Sequence, residues 1–228
     1  MRSDAESSEV RWFGSSDGKF KVTAVNTENT RDRLVAAAQE LFLLQGYNAT
    51  GVAQILKKAG VNSGSLYYYF PTKEDLLIAV LEFYYANIEP MLLDYVWTNV
   101  SDPIEKVFAL LDGYRQMLLV MEFNQGCPIG NLALELANTH VRARELMVAN
   151  FDQWVDKVRE CLDEAGDRLP EDLDRQALAM HVLTVMEGAV MLARSYRNLE
   201  PFDAAVQQLR DYIERLLADG REWSAPKN

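Results

Sequence analysis

The stretch TRDRLVAAAQELFLLQGYNATGVAQILKKAGVNSGSLYYYFPTKEDLL, from Thr30 to Leu77, decides the reading of this 228-residue chain. Leu34, Ala38, Leu41 and Phe42 recur at helical spacing and draw one apolar stripe along a first helix. Gly46 stands just past the end of that stripe, where a left-handed cap suits glycine. Thr50 is the expected N-cap of a second helix, with Val52 and Ile55 turned inward. Gly60, in Ala59-Gly60-Val61, permits a tight turn. Asn62 is the expected cap of a third helix running through Ser63, Gly64, Ser65, Leu66, Tyr67 and Tyr68. Pro71 closes that helix, because the residue before a proline is disfavoured in α. Thr72-Lys73-Glu74-Asp75 reads as a capping box that opens a fourth helix. Two short helices across a glycine turn make a helix-turn-helix, whose second member enters the major groove of DNA. Small and polar residues at the start of the third helix let that end approach a groove closely.

These residues also resemble the N-terminal domain of TetR-family transcriptional repressors. The resemblance covers about 48 residues and rests on Gly46-Tyr47 with Thr50, Ala59-Gly60-Val61, Gly64-Ser65-Leu66-Tyr67 with Phe70, and Lys73 with Leu76-Leu77. It implies that Thr50, Tyr67 and Lys73 contact DNA phosphates. It also implies that Ser63, Gly64, Ser65 and Tyr68, behind Asn62, face bases or backbone in the groove. The chain departs from the family pattern twice. Tyr69 stands where many relatives carry a phosphate-contacting His, which implies a phenol contact instead. Ser63 stands where Lys is common, which removes a charge from the recognition helix. Leu34, Phe42, Val52, Ile55, Val61, Leu66 and Phe70 are expected to form the core of this small domain.

The net charge of −11 is unusual for a DNA binder, but it is unevenly distributed. Residues 1–75 hold nine basic and nine acidic side chains, so the whole excess lies beyond them. Arg31, Arg33, Lys57, Lys58 and Lys73 can attract phosphates locally, while the remainder repels them. Specific contacts and dimerisation must therefore supply much of the affinity. Residues 1–26 lack the apolar core of a signal peptide and are expected to be a mobile tail. No run of about 18 apolar residues marks a membrane span. Cys127 and Cys161 make no disulfide framework, which suits a reducing cytoplasm.

From Leu76 onward the pattern is helical. Asp102-Pro103-Ile104-Glu105 combines a cap, a proline at the first helical position and an acidic third residue. Val107, Leu110, Leu111, Tyr114, Leu118 and Met121 then form one face. Gly126-Cys127-Pro128-Ile129-Gly130 breaks the pattern, and a short helix is expected from Asn131 to Ala137. A long helix follows with Met147, Phe151, Trp154, Val155, Val158 and Leu162, ended by Gly166 and Pro170. Between Asp172 and Arg197 apolar residues cover most of the circumference, so that helix requires burial on two sides. With the last helix, expected from Pro201 to Ala218, it can form a four-helix interface with a second copy. The TetR resemblance implies the same homodimer.

The resemblance further implies a small-molecule inducer bound among the C-terminal helices, which separates the two DNA-binding heads. Tyr84, Tyr114, Met117, Met121, Met186 and Glu187 are candidate linings. Gly126-Cys127-Pro128-Ile129-Gly130-Asn131-Leu132-Ala133 is similar to a Gly-Cys-x-x-x-Asn-Leu-Ala segment of a TetR subgroup. Some members of that subgroup sense electrophiles or oxidants through the cysteine, which makes Cys127 and Asn131 candidates as well. A thiol near a helix N-terminus gains thiolate character from the backbone dipole. Cys161 is expected to be structural. His140 and His181 have no partners at metal-ligand spacing, and no catalytic triad, phosphate loop or CxxC pattern occurs.

The sequence thus predicts an all-α protein: a mobile tail over residues 1–26, a helix-turn-helix DNA-binding domain over 27–75, and a ligand-binding and dimerisation domain over 76–228. It predicts a cytoplasmic homodimeric repressor of double-stranded palindromic DNA, with a small-molecule inducer, no metal, no cofactor and no membrane partner. Alternatives are a thiol-based sensor using Cys127, and a ligand-binding protein or enzyme with a vestigial DNA-binding head.

Overall fold

The computed structural model of the chain describes residues 29–224; the tail expected over residues 1–26 lies outside the described residues. All the described regular structure is helical. The helices are α1 (Thr30–Gln45), α2 (Val52–Ala59), α3 (Ser63–Tyr69), α4 (Lys73–Ile88), a π-helical turn (Glu89–Leu93), α5 (Asp94–Val96), α6 (Pro103–Val120), α7 (Pro128–Leu136), α8 (Val141–Glu164), a 3-10 turn (Gly166–Arg168), α9 (Arg175–Tyr196) and α10 (Glu200–Ser224).

The chain divides into two compact units, and neither is a continuous stretch. One comprises Met1–Tyr95 with Pro128–Val148, the other Val96–Cys127 with Ala149–Asn228. The boundary expected after residue 75 falls inside the first turn of α4, and α7 belongs to the first unit. The physical reason is that α4 continues the apolar core of α1, with Leu76, Leu77, Val80 and Leu81 all fully buried.

In the first unit Leu34, Phe42, Ile55, Leu66 and Phe70 of the expected core are buried, while Val52 and Val61 are only half-buried. The local signals worked as capping chemistry requires. Asn62 accepts the Ser65 N–H, and Thr72 and Asp75 close a reciprocal box at the head of α4. One cap is corrected. The N-cap of α2 is Gly51, which has no side chain to cap with; only the return half of a box is made, with Gln54 Oε1 accepting the Gly51 N–H at 2.8 Å. Thr50 turns inward instead: it is fully buried, and its hydroxyl donates to the Gly46 carbonyl at 2.6 Å.

In the second unit α9 and α10 form the most extensive helix pair, and α6 packs on α9. Asp102 caps α6 by accepting the Ile104 and Glu105 amides, as its sequence predicts. The short helix after Cys127 begins at Pro128, three residues earlier than expected, because proline is well placed in a first helical turn. Among the described residues α9 is long and apolar enough to cross a membrane, with a mean hydropathy of 1.4. Its Leu178, Ala179, Val182, Leu183, Met186, Ala189, Val190 and Ala193 are instead buried in the protein. Met180, Met191 and Leu192 on the same helix remain 43%, 49% and 42% exposed, so this single chain covers only part of the apolar circumference.

Candidate DNA interface and effector cluster

The recognition helix α3 is anchored by two residues and presents the rest. Leu66 and Phe70 sink into the core at 1% and 3% exposure. Tyr67, Tyr68 and Tyr69 are 55%, 81% and 40% exposed, and Ser63 and Gly64 are exposed too. The rings of Tyr68 and Tyr69 meet edge to face, 4.9 Å between centroids and 86° between planes. Asn62 Oδ1 accepts both the amide of Ser65 at 2.9 Å and its hydroxyl at 3.2 Å. Asn62 and Ser65 are therefore engaged with each other, which leaves Ser63 as the uncommitted hydroxyl at this end.

Two of the expected phosphate contacts sit differently from the others. Thr50 has no exposed surface, and its hydroxyl also accepts from Gln45 Nε2 at 3.1 Å. Its part is to hold the turn after α1. Lys73 donates from Nζ to the Tyr47 carbonyl and stacks its ammonium 4.0 Å from the Tyr47 ring centroid. That uses one of three donors. Burial lowers the Lys73 pKa, and the nearby Glu135 carboxylate opposes the shift. Lys57 is exposed on α2, whereas Lys58 pairs with Glu40 at 2.6 Å.

Sequence reasoning missed Glu135. From α7 its carboxylate grips the turn after α1: Oε2 accepts the Tyr47 N–H at 2.9 Å and Oε1 accepts the Asn48 N–H at 2.6 Å. Tyr47 is 7% exposed, with Phe42 on one side and the His140 ring on the other, each 5.2 Å between centroids. Gly46 adopts φ +84, and a Cβ there would lie 2.9 Å from Glu135 Oε2. A further tie joins Arg142 to Asp75 at 3.2 Å. Glu135 and Tyr47 lie 88 residues apart, so no local pattern signals the contact.

The second unit contains a different kind of cluster. Tyr114 of α6 is buried beside Cys127 and Glu187, and its pKa is raised well above the ordinary value, first by burial and then by those two groups. Burial raises the Glu187 pKa, and the neighbouring Cys127 thiol partly offsets that shift. The Trp154 indole lies against the Tyr114 hydroxyl. Yet Trp154 Nε1 and Glu187 Oε1 are buried without a well-formed hydrogen bond, as are Gln125 Oε1 and Gln153 Oε1. Buried polar atoms are ordinarily satisfied, so the open donor of Trp154 and acceptor of Glu187, both beside Tyr114, demand an explanation.

The structure brings together Tyr114, Cys127 and Glu187 of the expected linings. Met117 and Met186 are buried in the same unit, and Met121 is half-buried as the C-cap of α6. Tyr84 and Asn131 belong to the first unit. Trp154 was visible in the sequence only as an apolar-face residue. Cys161 is buried, and burial raises its pKa to about 11, which makes it an inert thiol. His181 is exposed on α9 and lines a hollow of about 370 Å³ with Leu173, Asp174, Ala177, Leu178 and Tyr212. Among the described residues no group of three metal-ligating side chains occurs.

Comparison with known proteins supplies the family. Residues 34–80 match the model of bacterial regulatory proteins of the tetR family. Residues 103–208 match the C-terminal domain of LmrA/YxaF-like transcriptional regulators. The chain is 31% identical over 192 residues to the uncharacterized HTH-type transcriptional regulator Rv0196 of Mycobacterium tuberculosis, covering 82% of this chain and 95% of that one. It is 30% identical to the HTH-type transcriptional regulator LmrA of Bacillus subtilis, over 82% and 98% of the two chains. Among solved structures it resembles a regulatory protein TetR from Rhodobacter sphaeroides, with a TM-score of 0.71 at 26% identity over 79% and 96% of the chains. An exposed recognition helix on a helix-turn-helix head, joined to a C-terminal helical domain of the matching kind, makes this chain a member of the TetR family and a DNA-binding transcriptional regulator.

Proposed function

We propose that the protein is a homodimeric repressor that binds a palindromic operator and leaves it when a small molecule occupies the C-terminal domain. The observation that carries this reading is the pair of open polar atoms beside Tyr114, Trp154 Nε1 and Glu187 Oε1, in the unit that does not hold the recognition helix. A ligand with a hydrogen-bond acceptor for Trp154 Nε1 and a donor for Glu187 Oε1 satisfies both. Met117 and Met186 supply adaptable apolar walls. The exposed Met180, Met191 and Leu192 on α9, with Tyr212 at 46% exposure on α10, supply a surface for a second copy. Two-fold protein symmetry then requires recognition helices about 34–36 Å apart on an inverted repeat. Sedimentation with a footprint on the DNA flanking its own gene tests the dimer and the dyad. A compound screen for operator release, repeated on Glu187→Gln and Trp154→Phe, tests the cluster. Release unaffected by either change places the inducer elsewhere.

Tyr67 and Lys73 are the proposed phosphate contacts of this reading. Tyr67→Phe and Lys73→Ala weaken binding to all sequences alike, because phosphate contacts position the protein without specifying bases. Lys73→Ala also lowers the salt slope by about one.

A second reading is favoured by the thiol–carboxylate pair. Addition of Cys127 Sγ to an activated alkene forms the S–C bond as the C=C π bond breaks; the thiol proton passes to Glu187, whose raised pKa makes it a better acceptor, and from there to the α-carbon. At 5% exposure Cys127 requires the loop before α7 to open first. Gel shifts with N-ethylmaleimide on wild type, Cys127→Ser and Cys161→Ser decide it. Equal release of wild type and Cys127→Ser, or release of neither, eliminates the sensor.

A further inference from the structure

The recognition helix lacks the side chains that read guanine and adenine best. Ser63 to Tyr69 contain no Arg, Lys, Asn, Gln, Asp or Glu. Bidentate pairing to guanine requires Arg or Lys, and bidentate pairing to adenine requires Asn or Gln. Hydroxyls discriminate poorly, and one of the two serine hydroxyls is held by Asn62. Base contact must therefore come largely from apolar surface.

Tyr68 supplies that surface. At 81% exposure it is more open than its neighbours Tyr67 and Tyr69. Helical side chains lean toward the N-terminus over the residue four positions earlier, which here is Gly64. A Cβ at Gly64 would meet only Asn62 Oδ1, at 3.3 Å, so little side-chain bulk crowds the first turn of α3 there. Tyr69 braces the same ring edge to face, which limits the entropy lost on docking. A braced, exposed aromatic ring fits the C5-methyl group of thymine, the one apolar feature on the major-groove edges of the bases.

We propose that Tyr68 is the principal base-reading residue and that it recognises thymine through the C5-methyl group, so that the operator is defined by thymine positions and not by guanine. This rests on the reading of α3 as the recognition helix.

The test uses the full chain. Duplexes selected from a random pool are rebuilt with uracil replacing thymine at single half-site positions, which removes the methyl and keeps every hydrogen-bonding group. One such position should weaken wild-type binding about fourfold in each half-site, the effect of one buried methyl. Tyr68→Ala should bind the thymine duplex more weakly and lose the distinction from uracil. Tyr68→Phe should retain the distinction, because the ring and not the hydroxyl carries it. Unchanged melting temperatures show that the variants fold. Equal wild-type binding to every uracil duplex overturns the inference while leaving the operator reading intact. So does a Tyr68→Ala protein that still distinguishes them. Selection of no duplex overturns the operator reading and this inference with it.

Discussion

The turn formed by Gly46, Tyr47 and Asn48 and the cluster of Tyr114, Cys127 and Glu187 are both polar groups packed among apolar ones, and they differ in completeness. In the turn, Glu135 accepts two consecutive amides, Lys73 donates to the carbonyl between them, and Thr50 donates to the preceding carbonyl. In the cluster, Cys127 neighbours Glu187, but Trp154 Nε1 and Glu187 Oε1 are left open. A satisfied network holds one geometry, and an unsatisfied one stores a cost that a partner can relieve. The unit that holds the recognition helix has the first and the other unit the second. Under the proposed function, that gives a head of fixed shape and a domain whose energy changes on occupancy.

The largest expected effect comes from breaking the satisfied side. Glu135→Ala leaves two backbone donors without their charged acceptor, which costs about 2 kcal/mol of stability. Denaturant melts should show this loss together with weaker operator binding, and amide exchange at Tyr47 and Asn48 should accelerate. Gly46→Ala strains a positive φ and presses on the same carboxylate, so its cost should be less than additive with Glu135→Ala. Full additivity would mean that the two residues do not act through one contact.

The next effect has the opposite sign. Burial raises the Glu187 pKa, so the folded state binds that proton more strongly than the unfolded state does. The stability this contributes is complete below the ordinary carboxyl range. It is lost as pH rises from the ordinary value of 4.5 through the raised one. Glu187→Gln removes the penalty. It should melt at or above the wild-type temperature at neutral pH, by about 1 kcal/mol, with the advantage shrinking toward acid. A Gln variant that is less stable at neutral pH would show that the cluster is satisfied after all.

The smallest effect separates completeness from location. Asp102 lies in the second unit but is fully engaged, capping α6 and pairing with Arg168 at 2.6 Å. Its pKa is lowered, chiefly by the Arg168 hydrogen bond, so its contribution is present above the ordinary carboxyl range and is lost as pH falls through the lowered value. Asp102→Ala should cost about 1 kcal/mol, as a lost cap does, and the loss should fade in acid. No loss at neutral pH would break the link between completeness and stability.

Much of this was legible along the chain. Capping signals at Asn62, Thr72 and Asp102 rest on side chains reaching their own neighbours, and all three act as read. Thr50 misled because a hydroxyl near a helix start has two satisfactory partners, a helix amide to accept from and a carbonyl to donate to, and only the packed turn chose the inward carbonyl. The boundary after residue 75 failed because periodicity marks where a helix begins, not which core its apolar face joins.

The sequence by itself determined the main helices and the helix-turn-helix, since each depends on contacts within a few residues. Tertiary structure alone decided that α7 joins the DNA-reading unit, that Glu135 grips a turn 88 residues away, and that Trp154 leaves its N–H open beside Tyr114. The physical reason is range. Caps and stripes are set by backbone geometry over one or two turns, whereas the meeting of distant side chains depends on how the whole set of apolar faces is buried at once.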